Sequence, residues 1–458
     1  MSKEIRLNAF AIFAPSHLSM GMWRHPRDRS TQYNTLEYWT DLAKTLERGK
    51  FDGIFIADGL GTYDVYQGSS AAATRAGVQF PRLDPILLVS GMAQVTEHLG
   101  FGITSSTTYE QPFIFARRMT TLDHLTKGRA GWNIVTSFGE SGAKATGRKD
   151  GPRLHDDRYD AADEYLEVVY KLWEGSWDEG AARRDKESGV FTEPGRVQTI
   201  RHDGKHFQVE GLFVSEPSPQ RTPVLYQAGT STRGRQFAAR HAECVFISAP
   251  SKQTLAAPIA DIRRRAVEFG RDPADILVFA LLTVIVGRTD EEAREKFADY
   301  RRYASPEATS VLFSGWSGID FSAYKPNDPV SYIRSEGMQS AIESFTIADP
   351  NRSWTVGELL EHNSIGGRGP VIVGSPARVA DEMQSWIEET GADGFNLSYA
   401  LMPESYVDFV ELVIPELQRR GVYKTEYRSG TLREKLYGSG RARLPAEHPA
   451  ATHRTPAG

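Results

Sequence analysis

A (β/α)8 barrel of the TIM type is the architecture that this 458-residue chain predicts, and three observations lead to it. Eight short runs rich in β-branched and aromatic residues have the length and composition of buried strands. Amphipathic helical patterns alternate with them, which implies right-handed crossovers and a parallel sheet, and eight such units close on themselves. The remaining long segments fall mostly after the carboxyl ends of the strands, where barrels build their sites. In order, a strand is predicted at 5–13 and a helix at 36–48, then strands at 51–57, 101–107 and 129–137. A helix at 161–173 precedes strands at 222–228, 244–249 and 276–287, and a helix at 377–389 leads into the last strand at 394–399. Insertions are read at 59–83, 138–156, 177–221 and 304–375, with 177–221 equally suited to decoration or an oligomer contact. Residues 1–430 thus read as one barrel domain, and 431–458, rich in Arg, Pro and Ala, as a tail that wraps a neighbouring surface or frays.

Composition excludes several classes. The 54 basic and 59 acidic side chains leave a net charge of -5, with no basic excess to hold nucleic acid or anionic lipid. Hydrophobic residues are 40% and charged residues 25%, ordinary for a globular enzyme, and no apolar run approaches the roughly 20 residues of a membrane helix. The opening segment lacks a secretory pattern, so a cytoplasmic location is expected. A single cysteine, Cys244, makes neither an internal disulfide nor a cysteine-rich metal cage.

Familiar catalytic signatures are missing. There is no GxxxxGK[ST] loop, no GxGxxG opening a helix, no HExxH and no GxSxG elbow, so no metal site is predicted and a Rossmann nicotinamide site is disfavoured. His241 and Cys244 read as packing at a helix-to-strand junction. The strand ends are instead polar with little charge: Asp58, Thr104, Asn133 and the run Gly229-Thr230-Ser231. The last of these ends a strand and opens a helix, offering free N–H groups, two hydroxyls and the positive end of a helix dipole to a phosphate, although capping by Ser231 explains it equally. His155-Asp-Asp-Arg-Tyr159 opens another helix and suits a second phosphate or ribityl contact, or a cap with a surface ion pair.

These segments, in this order, resemble the bacterial-luciferase-like flavin monooxygenases, in the branch that holds nitrilotriacetate, dibenzothiophene sulfone, long-chain alkane and dimethyl sulfide monooxygenases. The resemblance is nearly full-length. It rests on Gly21-Met-Trp-Arg-His-Pro26, Leu46-Glu-Arg-Gly-Lys-Phe-Asp52, the stretch 116–129, Trp132-Asn-Ile-Val-Thr-Ser137, His155-Asp-Asp-Arg-Tyr159, Glu216-Pro-Ser-Pro-Gln-Arg-Thr-Pro223, Gln227-Ala-Gly229 and Asp393-Gly-Phe-Asn396. It implies a luciferase-like barrel with FMN at its carboxyl-terminal mouth, reduced FMN delivered by a separate NAD(P)H:flavin reductase, and O2 as co-substrate through a C4a-(hydro)peroxyflavin. It also implies a homodimer or homotetramer. By position, Asp58, Thr104, Asn133, His155, Tyr159, Thr230 and Ser231 match flavin contacts, with Tyr159 and Ser231 near the phosphate. His17 and Tyr63 match residues at the flavin's reactive edge, and Phe138 and Trp316 are expected to line the substrate pocket.

Several segments, among them Gly315-Trp-Ser-Gly-Ile-Asp-Phe321 and Ile365-Gly-Gly-Arg-Gly-Pro370, are most similar to the dimethyl sulfide enzyme. Phe138 replaces a histidine, and Ala14 a cysteine, of the alkane enzyme. The expected substrate is therefore a small organosulfur compound. The same chemistry on an alkane, a sulfone or an aminopolycarboxylate, or a deazaflavin-dependent dehydrogenation, are the alternatives. A polycarboxylate needs several cations, for which Arg24, Arg82 and Arg368 are available.

Overall fold

The computed structural model describes residues 3–137, 139–148, 154–333, 337–348 and 352–454. Eight parallel strands close into a barrel: β1 (Arg6–Ile12), β2 (Gly53–Ala57), β3 (Gly100–Ser106), β4 (Ala130–Val135), β9 (Val224–Gln227), β10 (Cys244–Ile247), β11 (Leu277–Val286) and β13 (Gly394–Ser398). Each coincides with one of the eight expected runs. The ring is sealed by β10 pairing with β11 from Cys244 opposite Leu277. These strands read as continuous apolar runs because helices cover them outside and side chains fill them inside.

The helices Leu36–Arg48, His155–Tyr170 and Pro376–Thr390 stand where they are expected. In the first, Tyr38, Trp39, Leu42, Ala43 and Leu46 form the buried stripe that faces the sheet. Two antiparallel hairpins, β5 (Ala182–Asp185) with β6 (Val190–Thr192) and β7 (Thr199–Asp203) with β8 (Gln208–Leu212), make up the 177–221 insertion. It lies between a helix and the amino end of β9, and the Glu164 carboxylate holds it by accepting the main-chain N–H groups of His206 and Phe207. β12 (Val371–Gly374), inside the span read as strandless, pairs only with the outer half of β11. That half continues past the ring, so β12 extends the sheet without joining the barrel.

The barrel interior is aromatic. Phe10 meets Phe55 and Phe246 edge-on at 5.5 and 4.8 Å between ring centres, and Phe55 meets Tyr226 at 5.6 Å. Glycine makes room for this packing, since a Cβ on Gly131 would stand 2.7 Å from the Tyr226 ring. Below these rings, Leu432 and Leu436 of the tail helix Leu432–Tyr437 complete the same core. The described part of the tail is therefore packed across the amino-terminal end of the barrel.

At that end a repeated device satisfies the strands. An acid one residue before a strand accepts an N–H near the start of a neighbouring strand: Asp52 from Leu7 at 2.8 Å, Glu243 from Leu225 at 2.9 Å and Asp393 from Val278 at 2.7 Å. Each acid also has a cation: Lys424 at 2.6 Å from Asp52, Arg433 at 2.6 Å from Glu243, and Arg263 at 2.9 Å from Asp393.

Candidate functional site

The opposite, carboxyl-terminal mouth holds a cavity of about 700 Å³. Strand ends give it Asp58, Thr104, Asn133 and Gln227, the loops give His17, Tyr63, Thr230 and Ser231, and the helix Pro306–Ser317 gives Trp316. Nine of the predicted site residues are thereby brought around one cavity: His17, Asp58, Tyr63, Thr104, Asn133, Tyr159, Thr230, Ser231 and Trp316. Phe138 lies outside the described residues. His155 is placed as the first residue of the helix His155–Tyr170. Of the insertions, 59–83, 304–375 and the described part of 138–156, through Gly139, Glu140 and Gly142, reach the cavity, whereas no residue of 177–221 does.

One side of the cavity is a cradle for an anion. The helix Thr232–His241 points its amino end at it, and Ser231 caps that helix by accepting the Gly234 N–H at 3.1 Å. Tyr159 hydrogen-bonds Ser231, and burial keeps its phenol protonated. A Cβ on Gly229 would stand 2.7 Å from the Tyr159 hydroxyl and 2.3 Å from Gln227 Nε2, so a side chain there would displace both. Deeper in, Asn133 donates from Nδ2 to Thr104 Oγ1 at 2.8 Å. Asn133 Oδ1, Gln227 Oε1 and Ser248 Oγ are buried without a hydrogen-bond partner among the described residues. Buried polar atoms are rarely left so, and these match a polar, planar ligand with little charge. The amino end of the Ser231 helix would suit an anionic group, and the groups at Asn133 and Gln227 would suit the polar edge of a planar ligand.

The other side is a linked set of groups from the first two strand-end loops. Tyr63 donates to Gln79 Oε1 at 2.8 Å, and Gln79 Nε2 donates to the His17 carbonyl at 2.8 Å. The Gln79 main-chain N–H also donates to the Ser16 hydroxyl oxygen at 3.0 Å. Sequence reasoning missed Gln79, a loop residue with no motif around it. Its left-handed φ of 45° is the only local trace of its special position, and that is invisible without coordinates. The Tyr63 ring lies so close to Gly315 that a Cβ there would be 2.0 Å from it, which explains the glycine in the Gly-Trp-Ser-Gly run.

Burial sets the protonation of this side. It lowers His17 to about 3, helped by the Arg82 charge, so the imidazole is neutral and acts only by hydrogen bonding. Burial likewise raises Asp58 to about 6, against the opposing effects of the Gly59 N–H and Arg82. Arg82 donates to the Gly61 carbonyl at 2.8 Å. Phe10, Leu18, Phe55, Phe246, Leu281 and Trp316 make the rest of the wall apolar.

His241 and Cys244 are packing groups. His241 pairs with Asp163 at 2.8 Å, and Cys244 is buried beneath Tyr437. No cluster of three metal-ligating side chains occurs among the described residues, and no described helix is long and apolar enough to cross a membrane. Arg24 is spent on the Tyr303 carbonyl at 2.6 Å and does not join Arg82 and Arg368 at the cavity.

A parallel barrel with a mainly apolar cavity, polar on one side, at its carboxyl-terminal mouth has the architecture of a barrel enzyme with its site at that face. Residues 10–394 match the family model described as luciferase-like monooxygenase, and the chain belongs to that family. It is 49% identical over 99% of its length to a dimethyl-sulfide monooxygenase of Hyphomicrobium sulfonivorans, covering 94% of that protein. A long-chain alkane monooxygenase of Geobacillus thermodenitrificans (strain NG80-2) is also 49% identical, over 99% of both chains. Among solved structures, a riboflavin lyase holding modified FMN and riboflavin superposes with a TM-score of 0.93 at 38% identity, over 99% of this chain and 100% of that one. The close relatives are named as monooxygenases, and the chain is an enzyme of that kind.

Proposed function

We propose that this barrel is the oxygenase half of a two-component system. It takes reduced FMN from a separate NAD(P)H:flavin reductase, admits O2, and places one oxygen atom on a small organosulfur molecule such as dimethyl sulfide. The observation that carries this reading is the meeting, in one cavity, of unpartnered amide and hydroxyl groups with an aromatic wall. Thr230, Ser231 and Tyr159 would hold the phosphate, with His155 beside them; Asp58, Thr104 and Asn133 would hold the ring. Bound reduced flavin supplies the two electrons that let O2 deliver one oxygen atom to substrate and the other to water. The chain's own part is positional: neutral His17 offers a hydrogen bond without an acidic proton, Tyr63 and Trp316 close the mouth, and the aromatic wall excludes water.

The organosulfur lean rests on the segment likenesses at 315–321 and 365–370 and on the replacements at Ala14 and Phe138. A second reading, oxidation of a long-chain alkane, is kept alive by the equal identity to the alkane enzyme. We also propose one barrel domain over 1–430 with 431–458 as its closing tail, a homodimer or homotetramer, and a cytoplasmic location.

Anaerobic titration with reduced FMN, followed by O2 with and without dimethyl sulfide, tests the function. Saturable flavin binding, with O2 uptake matched by sulfide consumed, is expected; no binding of reduced FMN would sink the reading. In a His17→Phe variant, flavin affinity should persist while the share of O2 released as hydrogen peroxide rises several-fold. Full coupling in that variant would reduce His17 to a wall residue.

A further inference from the structure

Arg368 stands out among the groups that the proposed flavin site does not use. It follows the turn Gly366-Gly367, whose φ values of 80° and 69° only glycine adopts readily, and a Cβ on Gly366 would meet Thr283 Oγ1 at 2.5 Å. The turn is therefore rigid and delivers Arg368 to the cavity wall. From behind, His362 hydrogen-bonds the Arg368 main chain and is wedged against Phe345 and Trp354 at 5.6 and 5.3 Å. In front, the guanidinium lies 5.5 Å from the centre of the Trp316 ring.

No carboxylate pairs with it among the described residues, and its NH1 atom is buried without a partner. Desolvation lowers its pKa to about 10, so it still carries its charge at neutral pH. Elsewhere the same fold either pairs its buried cations with a carboxylate, Arg433 with Glu243 and Lys424 with Asp52, or gives their N–H groups to main-chain carbonyls, as at Arg129 and Arg271. A desolvated guanidinium kept without a counter-ion is costly unless a ligand supplies one. Of the cavity's other cations, Arg82 gives one N–H to the Gly61 carbonyl at 2.8 Å and Arg158 also has a partner.

We infer that Arg368 is the anion-binding subsite for the substrate, a small molecule whose oxidisable apolar part lies on the Trp316 side of the wall and which carries a carboxylate or sulfonate. This rests on the monooxygenase reading and narrows it to substrates with an anionic group. A planar carboxylate accepts two N–H groups from a guanidinium at once, which fixes the orientation of the molecule as well as holding it.

Calorimetric titration of the protein saturated anaerobically with reduced FMN tests this, using 3-(methylthio)propanoate and dimethyl sulfide as matched probes. The acid should bind at least about tenfold more tightly than the neutral sulfide. Arg368→Met should erase that advantage while moving dimethyl sulfide and FMN affinity by less than about twofold, and Arg368→Lys, which keeps the charge, should retain most of it. Equal binding of the two probes to the unaltered protein, or an advantage that survives in Arg368→Met, overturns the inference. So does a loss of FMN affinity in Arg368→Met, which would assign the residue to the flavin. Failure of the unaltered protein to bind reduced FMN overturns the underlying reading instead, and is seen before any probe is added.

Discussion

The two ends of the barrel use polar side chains in opposite ways. At the amino-terminal end Asp52, Glu243 and Asp393 each accept a strand N–H and each meet a cation, so the polar groups are satisfied by one another. At the carboxyl-terminal mouth Asn133, Gln227, Ser248 and Arg368 keep atoms without partners among the described residues. Polar groups that satisfy each other hold a fold together, whereas groups left unsatisfied in a closed cavity cost stability and are retained for a ligand. Burial does not separate the two sets, since both are largely buried, and single unpartnered atoms also occur at the amino-terminal end, as at Arg6 Nη1.

That contrast breaks if the wrong end proves essential for folding. Arg433→Met leaves Glu243 buried without its cation, and should cost about 3–5 kcal/mol in denaturant unfolding while the folded fraction keeps its flavin affinity. A loss below about 1 kcal/mol would remove the structural role given to that pair. Ser231→Ala, at the mouth, should weaken FMN binding by about 1–3 kcal/mol by titration, because it removes a hydroxyl from the anion cradle. Unchanged FMN affinity would leave Ser231 as a helix cap alone.

The smallest effect concerns pH. Folding raises Asp58 from 3.8 to about 6, so the folded state holds its proton more tightly than the unfolded chain does. Its contribution to stability therefore falls as pH rises from about 4 to about 6 and is level above that range. Because the group opens onto the cavity, the full shift is discounted to about 1–2 kcal/mol. Asp58→Asn should accordingly be more stable than the parent by that amount at pH 7 and equal to it below pH 4, measured by unfolding across the range. A difference that does not vary with pH would show that Asp58 is not the group being titrated.

Much of the fold could be read along the chain because buried parallel strands are apolar on both faces, so 276–287 and 394–399 announce themselves without alternation. β12 escaped because it touches only the projecting half of β11, and its four residues carry no periodicity of their own. The acids before the strands escaped for a different reason. One Asp or Glu ahead of an apolar run looks like any loop residue until the neighbouring strand is beside it. At the site, residues tied to recognisable segments were found, such as Ser231 in its strand-to-helix turn. Gln79 and Arg368 were not given roles, because what distinguishes them is a partner held or missing across the fold.

The Glu243–Arg433 contact also bears on the order of events during synthesis. A ribosome makes Glu243 and the seven strands before it or just after it well ahead of Arg433, which comes 190 residues later. Until the last segment emerges, the nascent barrel carries Glu243 without its counter-ion and lacks Leu432 and Leu436 at its base. Completion of the barrel is therefore a late event, and the segment around Arg433 behaves as a built-in quality mark: only a chain translated past it can close its own floor.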